Sequence, residues 1–96
     1  MSFAEFLEAV RTRRRPEAAA PVLALWQDAC GDWDGAHATV QHATAGAGAW
    51  VHAYLHRKGG DLANARYWYA RAGRPAVDAD TTTEAEREAI VRELLE

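Results

Sequence analysis

A Gly-Asp pair occurs twice in this chain, 29 residues apart, and it constrains the fold more than any other feature. At that offset Gly31-Asp32 falls on Gly60-Asp61, Trp33 on Leu62, Ala36 on Ala65, Val40 on Tyr69 and Ala43 on Ala72. Upstream of the pair, Leu25 falls on Tyr54 and Trp26 on Leu55. Glycine closes a helix in the left-handed conformation and aspartate caps the next one, so each pair marks a tight helical hairpin. The alanine four positions beyond each aspartate lets paired helices approach closely. Two equivalent hairpins are therefore expected over residues 21–75.

The flanks read as single helices. Ser2 and Glu5 have capping-box spacing, and Phe3, Phe6, Leu7 and Val10 repeat at helical intervals. This helix is expected to run to about Arg14, within residues 1–15, with Arg11 to Arg15 at its end and Pro16 stopping it. Pro21 opens the helix over Val22 to Cys30. The stretch Thr44 to Gly48 reads as a break, so the third core helix is expected from near Ala49 to Gly59. After a polar loop, Thr83 with Glu86 three residues on gives a second capping box. It starts a last helix over residues 83–96, striped by Ile90, Val91, Leu94 and Leu95. The predicted architecture is one all-α domain spanning residues 1–96.

The run Gly60-Asp61-Leu62-Ala63-Asn64-Ala65-Arg66-Tyr67-Trp68-Tyr69-Ala70-Arg71-Ala72 resembles the second half of a tetratricopeptide or Sel1-like repeat. Gly31-Asp32 with Ala36 and Ala43 is a weaker copy. Trp50 to Tyr69 is also similar to a W-x-H-A-Y-L-H-R-K-x-G-D stretch shared by a group of small microbial proteins. The period is shorter than the repeat family's, and two copies are fewer than an array needs. The resemblance implies a right-handed α-α superhelix with the terminal helices as caps. It implies a surface for binding a protein and does not imply catalysis.

Composition narrows the partners. A net charge of −3 gives no field for nucleic acid, and the arginine cluster at Arg11–Arg15 lacks interleaved aromatics. It reads as a solvated helix end. No apolar run approaches the roughly 20 residues of a membrane span. The single cysteine, Cys30, has no partner for an internal disulfide, which fits a reducing compartment, so a cytoplasmic location is expected. Asp32 and Asp34 read as a cap and a dipole complement, not an acid–base pair.

Three aromatics in a row, Tyr67-Trp68-Tyr69, cannot share one helix face. Trp68 and Tyr69 are expected in the core and Tyr67 outside it. The preferred reading is an interaction scaffold or homodimer with a surface drawn from Trp50, His52, Tyr54, His56, Arg66 and Tyr67, and no cofactor. The alternative starts from His52 and His56, whose i, i+4 spacing projects both imidazoles from one helix face. They fall opposite the Trp50–Tyr54–Leu55 arc, so they need not be core. No Glu follows His52, so a metal would need a third ligand from the preceding helix, with His37 the candidate beside His42 and Asp34.

Overall fold

A computed structural model describes all 96 residues as six helices and no strand. They are α1 (Phe3–Thr12), α2 (Ala20–Ala29), α3 (Trp33–Val40), α4 (Gly46–Lys58), α5 (Leu62–Ala72) and α6 (Thr83–Leu95). None is long and apolar enough to cross a membrane.

The two Gly-Asp bends share one geometry. Gly31 sits at φ +90° and Gly60 at +84°. The aspartates that follow have φ/ψ of −105°/74° and −95°/77°. In both bends the aspartate N–H reaches back to a carbonyl five residues earlier, Asp32 to Gln27 and Asp61 to His56, each at 2.9 Å. Both side chains then cap the next helix, Asp32 accepting from Gly35 N–H and Asp61 from Asn64 N–H. Ala36 and Ala65 are both buried where the helices of each hairpin meet. The equivalence ends at Trp33 and Leu62. Trp33 packs under the second hairpin and donates Nε1–H to Leu55 O at 2.8 Å. No third hairpin covers Leu62, which stays exposed.

Three boundaries differ from expectation. α1 stops at Thr12, short of Arg14, because Arg13 takes the left-handed position at φ 55°. Arg14 N–H closes onto Ala9 O, and the Arg13 guanidinium is spent on Cys30 O at 3.0 Å. α4 starts at Gly46 because the glycines form its first turn rather than a break. A Cβ at Gly48 would lie 2.4 Å from Ala43 Cβ, so glycine is what lets the turn between α3 and α4 fold back against the start of α4. At α6 the cap is Thr82, whose hydroxyl accepts from Ala85 N–H. Glu86 is no capping-box partner, because it is buried and bound elsewhere.

The core forms where α2, α4 and α6 meet: Leu25, Val51, Tyr54, Leu55, Ile90 and Val91 are fully buried. α6 packs on α4, α2 and α1, whereas α5 packs on α4 and reaches α6 through the Tyr69 hydroxyl. α4 is therefore covered on nearly every side, and even its polar His52 is buried. Two buried carboxylates tie α6 to the hairpins. Asp28 accepts from Lys58 Nζ at 2.9 Å, from Arg87 Nη1 at 3.2 Å, and from the Tyr54 hydroxyl. Glu86 accepts from Arg57 Nη1 at 2.9 Å and from the Tyr69 hydroxyl. Burial, reinforced by the adjoining carboxylate, pushes both tyrosine hydroxyls well above their usual range.

Candidate metal centre

The hairpin joint brings together three imidazoles. His37 comes from α3, and His52 and His56 from one face of α4. His52 Nε2 lies 3.0 Å from both His37 Nε2 and His56 Nε2. The ligand-capable nitrogens of all three rings fall within 4.8 Å of one another. Local spacing explains the α4 pair, and the packing of α3 on α4 supplies the third ring.

Two indoles wall the cluster. Trp33, one turn before His37, stacks on it with ring centroids 5.1 Å apart and planes 10° apart. Trp68 of α5 stacks on His52 at 4.2 Å and 27°. Trp33 is held in place by its bond to Leu55 O. On the outer side, Asp61 Oδ2 lies 3.8 Å from His56 Nδ1. His56, Asp61, Trp33 and Gly59 line a shallow cleft there.

His52 and His56 are biased toward the neutral form. Burial, then the neighbouring His56 and His37, lowers the His52 pKa to about 4. Burial and His37 also lower that of His56, with Asp61 opposing. At neutral pH these two rings keep nitrogen lone pairs available. Their packing leaves one deficit: His52 Nδ1 is buried without a hydrogen-bond partner. Since Nε2 can serve only one proton, no tautomer of His52 satisfies all its neighbours.

This predicts acid sensitivity. Between about pH 4 and 6.5 an unfolded chain binds a proton at His52 that the native chain excludes, so stability must rise with pH in that window and level off above it. Relaxation of the surrounding helices and water entry around a charged His52 limit the loss on acidification to about 1–2 kcal/mol. Urea midpoints of metal-free protein from about pH 7 down to 4 should show this slope, and His52→Gln should flatten it. An equal slope in both proteins would remove His52 as its source.

Of the residues expected to carry a site, His37, His52 and His56 converge, while His42 and Asp34 stay exposed and outside the cluster. The expected interaction surface does not hold together. Tyr54 is fully buried, because its face of α4 turns toward α2 and its hydroxyl engages Asp28. His52 is buried too, because Trp68 covers it. Trp50 is half-buried under the Arg74 guanidinium, 3.8 Å from its ring, whereas Arg66 and Tyr67 are exposed. Sequence reasoning missed Trp33, Trp68 and Asp61 as surroundings of the histidines. The i, i+4 spacing of Trp33 and His37 was the available signal for one of them. The result is a small six-helix protein with a three-imidazole cluster at the joint of two hairpins. Comparison with family models, curated proteins and solved structures returned no match.

Proposed function

We propose that this protein binds a divalent transition-metal ion through His37, His52 and His56. The observation that carries the reading is the convergence of three imidazole nitrogens, contributed by two hairpins, between two indole walls. Nitrogen donors without carboxylate or thiolate suit zinc, nickel, cobalt or copper(II) rather than calcium or magnesium. Cys30 lies apart, its Sγ near Val10 O. Bonds of 2.0–2.1 Å in a tetrahedron place ligand nitrogens about 3.3 Å apart, so the 3.0 Å separations need open only slightly. Three protein ligands leave one coordination position for solvent or another ligand. The role is binding, with the ion joining the hairpins, rather than catalysis.

Titration with zinc or nickel tests it. One equivalent should raise the melting temperature, by about 2.7 kcal/mol of stabilisation at a free concentration of 100 times Kd. It should shift the imidazole NMR signals of His37, His52 and His56 and leave His42 alone, and His52→Asn should abolish both effects. Unchanged melting and unchanged histidine signals would end the reading.

A second reading is a tetratricopeptide-like scaffold, the two hairpins forming a right-handed superhelix with α1 and α6 as caps. The shared bend geometry supports it, and the open outer face of α5, with Leu62 and Tyr67 about half exposed, favours self-association there. Light scattering on the same samples decides that point, since a monomer with and without metal would exclude it.

A further inference from the structure

We propose that Asp61 is the outer-sphere carboxylate of this centre, a positioning residue that holds His56 in the Nδ1–H tautomer and so aims its Nε2 lone pair at the ion. The inference rests on the metal reading above. Its basis is a comparison that the protein makes with itself. In both bends the aspartate N–H bonds to the carbonyl of the residue five positions earlier. In the first hairpin that residue is Gln27, whose Oε1 accepts from Thr39 Oγ1 at 2.6 Å, so Asp32 serves as a cap with no ring to orient. In the second it is His56, and the same bend brings Asp61 Oδ2 to 3.8 Å from Nδ1.

The remaining geometry fits the role. His56 Nε2 already points into the cluster, 3.0 Å from His52 Nε2, so Nδ1 is the nitrogen left for the carboxylate. The Asp61 carboxylate is itself held: Oδ2 accepts from Asn64 Nδ2 at 2.6 Å and Oδ1 from Asn64 N at 3.3 Å. The role requires the 3.8 Å separation of Asp61 Oδ2 from His56 Nδ1 to shorten to hydrogen-bond length. Metal-ligating histidines commonly donate their second N–H in this way, which fixes the ring and raises its basicity as a ligand. Of the three rings only His56 has a carboxylate in this position, since His52 Nδ1 has no partner.

Asn and Ser both cap helices well, so Asp61→Asn and Asp61→Ser keep the bend while removing the charge. Asp32→Asn makes the same change at the equivalent bend. Zinc affinity should fall about 10–100-fold in both Asp61 variants and stay unchanged in Asp32→Asn. Long-range nitrogen NMR of metal-free protein should find His56 protonated at Nδ1 in the wild type and shifted toward the Nε2–H tautomer in the Asp61 variants. If the wild type binds zinc and the Asp61 variants match it, the role of Asp61 is overturned and the metal centre stands. If the wild type binds none, both are overturned.

Discussion

Asp28→Ala should destabilise the protein by about 3–5 kcal/mol, the expected cost of removing one partner from a buried charge cluster. The Asp28 side chain is only 1% exposed, and it is the shared acceptor for Lys58, Arg87 and the Tyr54 hydroxyl. Truncation leaves two cations partly buried without a counter-charge and a core hydroxyl without its acceptor. The hydroxyl then has only Arg87 Nη1 nearby, at 3.5 Å and itself a donor. Asp28→Asn keeps the shape and one carbonyl acceptor, so its loss should be smaller. Urea denaturation measures both. A change under 1 kcal/mol for Asp28→Ala would mean that α6 is not held through this carboxylate.

Glu86→Ala should cost about 3 kcal/mol, toward the lower end of the same range. Its side chain is 3% exposed and binds Arg57, which is 12% exposed, together with the Tyr69 hydroxyl. Arg57 keeps contacts to the carbonyls of Thr81 and Asp78, which moderates the loss. The damage should be regional. The bonds of Glu86 cross from α6 to α4 and α5, so amide exchange should accelerate in the loop at residues 73–82 and in α6 before α2 and α3 respond. Uniform acceleration throughout the chain would show that α6 does not open separately.

Much of the fold was legible because its signals are local. The capping box at Ser2 and Glu5, the Gly-Asp bends and the close-packed Ala36 and Ala65 each depend on residues within a turn or two. The displaced boundaries arose where a contact from outside the helix intervened, as when the distant Cys30 O engaged Arg13 and when Ala43 of the preceding turn met Gly48. The metal centre was half legible. His52 and His56 share a face by helical period alone, whereas His37 joins them through the packing of α3 on α4.

The polar core was not legible at all. Asp28 and Arg87 lie 59 residues apart, and nothing near Asp28 distinguishes it from a solvated aspartate at a helix end. Glu86 carried the signature of a capping-box residue and is instead a buried acceptor. Tyr54 fits both the Trp50–Leu55 arc and a contact surface on the sequence, because a helical wheel shows which residues share a face but not which neighbour covers it. The structure buries it completely.

Sequence alone determined the existence of the helices, the caps at Ser2, Asp32 and Asp61, and the two matching bends, because backbone hydrogen bonds and glycine stereochemistry act between near neighbours. Tertiary structure decided which side chains lose water, and with that the buried acids, the neutral histidines and the third imidazole. Burial depends on what arrives from elsewhere in the chain, and no local pattern encodes it.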